Sequence, residues 1–93
     1  NRGLPHDAMR RPVVARIEQP AGDGAWHVSV RAPWRAAKPL ELLLPGLRRP
    51  ELQPGDFRLE NHKGETVDRL HPGMAGVLHC AHDGLAPGLF VRA

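Results

Sequence analysis

Residues 26–32, Trp-His-Val-Ser-Val-Arg-Ala, alternate apolar and polar side chains without interruption. A period of two is typical of a β-strand with one face against a core and the other in water. We therefore predict a strand here, with four inward-facing side chains: Trp26, Val28, Val30 and Ala32.

Shorter runs of the same kind lie on both sides of this stretch. The predicted strands are residues 13–19, 40–44, 57–62, 77–82 and 89–92. Pro-Gly pairs at 45–46, 54–55, 72–73 and 87–88 separate several of them, and proline followed by glycine favours a chain reversal. In the first predicted strand Val13, Ala15 and Ile17 should face inward, and in the fourth, residues 57–62, Phe57 and Leu59 should do so.

This pattern predicts an all-β fold, a small closed or partly open barrel of about six short, mainly antiparallel strands. Residues 13–93 form the single predicted domain. Residues 1–12 show no clear period and are interpreted as a linker that enters it.

Composition limits the classes of function. The chain has 93 residues, thirteen Lys and Arg against ten Asp and Glu, and a net charge of +3. Eleven of the cations are arginine, which suits phosphate recognition. No run approaches the roughly 18 apolar residues of a membrane span, so we expect no membrane partner. The lone Cys80 agrees with a reducing compartment and a cytoplasmic location.

Histidine, cysteine and carboxylate residues are the candidates for a catalytic or metal site. His79 and Cys80 are neighbours on a strand, so their side chains point to opposite faces of the sheet. Cys80 and His82 share a face, but two ligands are too few to hold a metal ion. A Cys80–His82 nucleophilic pair lacks an orienting third group. Two carboxylate pairs, at 56 and 60 and at 65 and 68, lie at turns, where solvated charge explains them. We predict no catalytic residue and no metal site.

Cations on outward strand positions are the remaining candidates. If their strands are neighbours, they could face a nucleic-acid backbone. Glu18, Glu41 and Glu60 share these faces and would partly neutralise them. Trp34 is a candidate for stacking or, alternatively, a cap on one end of the barrel. The candidate contact residues for nucleic acid or another substrate are Arg16, Arg31, Trp34, Arg35, Arg58 and Lys63.

One order of features resembles a known family. Residues 38–46, Lys-Pro-Leu-Glu-Leu-Leu-Leu-Pro-Gly, precede Phe-Arg-Leu-Glu at 57–60, a His-Pro-Gly turn at 71–73 and a closing Pro-Gly-Leu-Phe-Val-Arg at 87–92. This order resembles the C-terminal β-barrel domain of the collagenase-like peptidases, the unassigned peptidase family thirty-two, in the branch that contains the tRNA hydroxylation proteins. Residues 47–55 depart from it, which leaves the register between the strands on either side open.

The resemblance implies that a catalytic α/β-barrel domain lies upstream. In the family that domain holds an iron–sulfur cluster, and the tRNA branch is associated with prephenate as the source of the hydroxyl group. Relatives act as peptidases on collagen or hydroxylate RNA or ubiquinone. None of their catalytic positions falls within residues 1–93.

Two functions remain open. The first is a non-catalytic accessory domain that helps its own catalytic domain to bind RNA or protein substrate. The alternative is a structural or protein-interaction barrel that docks on that domain and touches no substrate.

Overall fold

The regular secondary structure in the described part of the chain consists of β-strands alone. The computed structural model describes residues 11–82 and 84–93, and these contain no helix, so none that could cross a membrane. Their strands are β1 (Val13–Gly22), β2 (Ala25–Val30), β3 (Trp34–Arg35), β4 (Leu40–Leu43), β5 (Glu51–Leu52), β6 (Phe57–Glu60), β7 (Thr66–Val67), β8 (Arg69–Leu70), β9 (Ala75–Cys80) and β10 (Phe90–Arg92).

Eight strands form one antiparallel sheet in the order β5-β4-β10-β1-β2-β9-β6-β7. The sheet curls into a half-barrel that stays open, since its end strands β5 and β7 do not pair with each other. The predicted all-β fold is confirmed, in its partly open form. Exposed edges invite pairing with other chains, and here each edge strand is only two residues long.

The remaining strands, β3 and β8, form a second, two-stranded sheet. Its inward pair is Trp34 and Leu70, which lie opposite each other and have no exposed surface. The two sheets share one core. Its fully or almost fully buried residues include Val14, Ala15, Ile17, Val28, Trp34, Leu40, Leu42, Leu59, Leu70, Leu78 and Val91.

Strand β1 departs from simple alternation. Its register against β10 shifts between Val13, which pairs with Arg92, and Ala15, which pairs with Val91. This irregularity inserts Val14 as an extra residue, so Val14 and Ala15 are both fully buried while Val13 is only half-buried. The prediction that Val13 faces inward was wrong, because a bulge shifts the faces of a strand.

Each of the six predicted strands overlaps a strand of the structure. Val28, Val30, Phe57 and Leu59 are buried as predicted, and Trp26 and Ala32 pack against the core with part of their surface exposed. In all four Pro-Gly pairs the glycine has a positive φ, between 77° and 97°. That conformation suits glycine and confirms the predicted turns.

The stretch 47–55 turns back along β4. Its strand β5 pairs with β4, Leu52 opposite Leu40 and Glu51 opposite Glu41. The strands on either side of this stretch, β4 and β6, are not neighbours in the sheet, so no register joins them directly. Strand β6 is then reached through a turn in which the Asp56 amide donates to the Gln53 carbonyl at 2.9 Å.

Most of the predicted linker, residues 1–10, lies outside the described residues. Arg11 forms an ion pair with Glu51, and the Pro12 carbonyl accepts a hydrogen bond from the amide of Ala93 at 3.3 Å. The division into a linker at 1–12 and a domain at 13–93 stays a prediction.

Candidate nucleic-acid interface

Arg16 and Arg31 meet on the outer side of the large sheet. Arg16 lies opposite Phe90 across β1 and β10, and the Arg31 guanidinium carbon is 5.3 Å from the centre of the Phe90 ring. This is a cation–π distance. Phe90 therefore lies beside both cations, and it is a contact that the sequence did not predict.

Arg16 is already neutralised by its own strand. Its Nη1 donates to Glu18 Oε1 at 2.6 Å, and the other oxygen of Glu18 accepts from the Ser29 hydroxyl at 2.7 Å. The Ser29 hydrogen bond, followed by that from Arg16, lowers the pKa of Glu18. A phosphate that binds Arg16 would have to compete with this carboxylate.

Arg58 belongs to a separate cluster on β6 and β9. Its Nη2 donates to Glu60 Oε2 at 3.1 Å, and His79 Nε2 lies 3.1 Å from the other oxygen of Glu60. His79 chiefly, and Arg58 to a lesser extent, lower the pKa of Glu60. Arg58 therefore also has a partner, and strands β2 and β9 separate it from β1.

Lys63 is exposed in the turn between β6 and β7. Asn61 organises that turn, since its Oδ1 accepts from the amides of Lys63 at 2.9 Å and Glu65 at 3.0 Å. The structure thus brings Arg16 and Arg31 together but leaves Arg58 and Lys63 away from them. The six candidates do not form one continuous patch.

Trp34 cannot serve as a stacking platform in this fold. Its side chain is fully buried against the core, and its indole Nε1 has no hydrogen-bond partner among the described residues. Stacking on a base needs an exposed ring face. The burial agrees instead with the alternative role of Trp34 in packing.

Arg35 follows Trp34 and points to the other side of the small sheet. It is exposed and lies directly opposite Arg69, which is also exposed. Arg69 could not be predicted from the sequence, because strand β8 has only two residues and shows no period. Lys38 is in the turn that follows, where its amide donates to the Arg35 carbonyl at 3.2 Å.

The histidine and cysteine residues near the end of β9 do not converge. Cys80 is buried, and burial raises the pKa of its thiol. His79 faces Glu60, and His82 Nδ1 accepts from the Gly84 amide at 3.0 Å. Within residues 11–82 and 84–93, no three metal-ligating side chains come together.

The candidate acid–base carboxylates, at positions 56, 60, 65 and 68, also lie in separate environments. Glu60 is held by Arg58 and His79, and Glu65 accepts from the Asn61 amide at 2.9 Å. Asp56 and Asp68 are exposed.

An open groove of about 620 Å³ lies between the small sheet and strands β6 and β7. Its wall is mainly apolar, with one cation and one carboxylate. The side chains that line it include Ala36, Phe57, Arg58, Leu59, Val67 and Asp68.

Comparison with solved structures shows what this fold is similar to. The selenomethionine variant of the C-terminal domain of a Geobacillus thermoleovorans protein, described as a U32 peptidase, matches with a TM-score of 0.69 and 15% identity. The match covers 89% of this chain and 100% of that one. A second structure of the same domain gives a TM-score of 0.65 and 15% identity over 89% of this chain and 91% of that one. No family model and no curated protein matches the sequence.

These matches bear on the resemblance to the unassigned peptidase family thirty-two. At 15% identity they establish a shared fold, that of the C-terminal domain of a protein described as a member of that family. The finer resemblance, to the tRNA hydroxylation branch, stays a prediction.

Proposed function

We propose that this chain is an accessory domain of a collagenase-like peptidase family protein of the tRNA hydroxylation branch, and that it helps to hold RNA near a separate catalytic domain. The observation that supports this most is the fold. It matches the C-terminal domain from Geobacillus thermoleovorans over 89% of this chain and all of that one. The order of strands and turns in the sequence points to the same family.

The side chains fit a binding role better than a catalytic one. The Cys80 thiol is buried with a raised pKa, so it is protonated at neutral pH and a poor nucleophile. Glu60 is tied to Arg58 and His79. The described residues offer no nucleophile beside a free base, and we assign the chemistry to the upstream catalytic domain.

The cofactor of the family does not fit the residues of this chain. An iron–sulfur cluster is held by about four cysteine thiolates, and Cys80 is the single cysteine of the sequence. Its burial on the core side of β9 also keeps it from an external cluster. We therefore place the cluster, and the prephenate of the tRNA branch, in the upstream domain.

RNA is the substrate class that the charges favour. The chain carries a net charge of +3, and arginine supplies eleven of its thirteen cations. Arginine binds phosphate through two parallel hydrogen bonds. The expected mode is contact with the backbone and no reading of bases, since Trp34 and Phe57 are buried and Trp26 and Phe90 are only partly exposed.

A titration of labelled tRNA with the 93-residue chain tests this proposal. At about 50 mM salt we expect binding, and between about 50 and 200 mM the affinity should fall at least about tenfold. Unlabelled polyglutamate of similar length serves as a polyanion control and should compete poorly. Absence of binding at the lower salt concentration would overturn the proposal.

A second candidate, docking without substrate contact, is favoured by one side chain. Leu47 is 95% exposed at the turn after β4. Arg49 Nη1 holds this turn by donating to the carbonyls of Leu44 at 2.9 Å and Arg48 at 2.7 Å. Single exposed leucines are common on protein surfaces, but the hydrogen bonds of Arg49 hold this one in a defined turn, which suits a docking contact.

In the docking alternative, the partner is the upstream catalytic domain. Leu47→Ser should then weaken the association of this chain with that domain when the two are expressed separately. Arg48→Ser is the matched control in the same turn. Equal association of both variants and the wild type would exclude Leu47 as the anchor.

A further inference from the structure

Most arginines among the described residues have a partner within the fold. Ion pairs join Arg11 to Glu51, Arg16 to Glu18, Arg58 to Glu60 and Arg92 to Glu41. Two more are held without a carboxylate: Arg31 lies over Phe90, and Arg49 donates to backbone carbonyls. These side chains therefore contribute to the fold itself.

Arg48 has no such partner among the described residues either, but Arg35 and Arg69 are distinguished by their position. They lie directly opposite each other across the small sheet and are both exposed. Neither forms an ion pair or a side-chain hydrogen bond with any residue in 11–82 or 84–93. Like charges at directly opposite positions destabilise an antiparallel pair of strands. The arrangement therefore adds nothing to the stability of the small sheet, whose two strands have two residues each.

The other face of the same sheet explains how it tolerates the repulsion. Trp34 and Leu70, next to Arg35 and Arg69 in sequence, are opposite each other and completely buried. Their packing fixes the backbone of β3 and β8. The two guanidinium groups consequently project from an anchored platform, with their Cβ atoms about 4.5–5.5 Å apart as in any directly opposite pair.

We propose that Arg35 and Arg69 form a clamp for the phosphate backbone of RNA, with Lys38 as a third cation. Two guanidinium groups side by side offer several N–H donors to phosphate oxygens, and an anion between them would remove their repulsion. Lys38 is exposed in the turn that follows β3. This clamp rests on the proposed RNA-binding function and names its site.

The charge around the clamp remains positive when the nearby acid is counted. Asp68, next to Arg69, is an exposed carboxylate whose backbone carbonyl accepts from the Ala36 amide at 2.9 Å. This region of the chain therefore carries three cations, Arg35, Arg69 and Lys38, against one carboxylate. In contrast, each phosphate that approached Arg16 or Arg58 would have to displace a bound glutamate.

The test compares tRNA binding by two double variants of the 93-residue chain. Arg35→Gln/Arg69→Gln removes the clamp. Arg48→Gln/Arg49→Gln removes the same net charge from two other exposed cations that form no ion pair among the described residues. Each lost phosphate contact reduces the magnitude of the slope of log K against log salt by about 1. We therefore expect a slope about 2 smaller in magnitude for the clamp variant and an unchanged slope for the control.

Two further measurements make the result specific. The thermal midpoint of Arg35→Gln/Arg69→Gln should equal or exceed that of the wild type, since a repulsion has been removed. Arg35→Lys/Arg69→Lys keeps both charges but loses the planar forks, and its affinity should lie between those of the wild type and the glutamine variant.

The outcomes separate this inference from the function on which it rests. If the wild type binds tRNA and the two glutamine variants lose affinity equally, or neither does, the clamp is wrong while the RNA-binding proposal stands. If the wild type does not bind tRNA at low salt, both proposals fail.

Discussion

Trp34 and Leu70 pair directly across the two-stranded sheet, and neither has any exposed surface. The pair joins the small sheet to the core formed by the curled larger sheet. It also sets the position of Arg35 and Arg69 on the opposite face. One contact therefore links the stability of the domain to the cations proposed to bind RNA.

Truncation of Trp34 should be strongly destabilising. Because the side chain is fully buried, Trp34→Ala should lower the free energy of unfolding by about 3–5 kcal/mol. Urea unfolding followed by circular dichroism measures this, and Trp34→Phe is the milder variant if Trp34→Ala does not fold. Trp26→Ala, at a half-buried tryptophan, should cost less. Equal costs at both positions would contradict the structure.

Gly76 leaves no room for a side chain. A Cβ atom there would lie 2.7 Å from Leu70 Cδ1 and 2.8 Å from the Glu60 carbonyl oxygen. Gly76→Ala should therefore lower the free energy of unfolding by about 1–3 kcal/mol, since packed neighbours must move. The control is Ala75→Ser at the exposed neighbouring position, where a change within about 0.5 kcal/mol is expected. If Gly76→Ala left the free energy of unfolding unchanged, β8 and β9 would have to lie further apart than they do in this structure.

Stability should decrease in acid partly through Glu60. His79, and to a lesser extent Arg58, lower the pKa of Glu60 in the folded state below its ordinary value of 4.5. The unfolded state therefore binds more protons between the two pKa values, and stability is lost as the pH falls through the folded pKa. The thermal midpoint of the wild type should exceed that of Glu60→Gln at pH 7.

This difference between wild type and Glu60→Gln should shrink as the pH falls below about 4.5, where the carboxylate becomes protonated. Glu65→Gln is the control, at a carboxylate whose hydrogen bond comes from the neutral Asn61 amide. If the difference in thermal midpoint between the wild type and Glu60→Gln stayed constant from pH 7 to pH 3, the ion pairs of Glu60 would be excluded as its source.

The thiol of Cys80 should be unreactive in the folded chain. It is 6% exposed, and burial raises its pKa. Because the thiolate is the reactive form, a thiol reagent at pH 8 should label native protein slowly and protein in denaturing urea much faster. Similar rates in both conditions would show that Cys80 is accessible. Cys80→Ala should not react in either condition.

The sequence predicts the large sheet because its main strands are long enough to show a period. Residues 26–32 alternate clearly, and Val28 and Val30 are buried as expected. The bulge at Val14 was not predictable, because two adjacent apolar residues fit either face until the register with β10 is known. Strands β3 and β8 were missed because two residues carry no period.

The candidate site was harder to predict than the fold. Arg16 and Glu18, like Arg58 and Glu60, are two residues apart on one face of a strand, so their neutralisation could be anticipated from the sequence. The contact of His79 with Glu60 depends on the register between β6 and β9. The opposition of Arg35 and Arg69 likewise depends on the pairing of β3 with β8, two strands that are distant in the sequence and carry no local signal for it.

The most direct measurement is the salt dependence of tRNA binding by the wild-type chain. Three phosphate contacts, from Arg35, Arg69 and Lys38, predict a slope of log K against log salt of about −2 to −3. The affinity should then fall roughly 16- to 64-fold between about 50 and 200 mM salt. A slope near zero, or no binding at the lower salt concentration, would contradict the account.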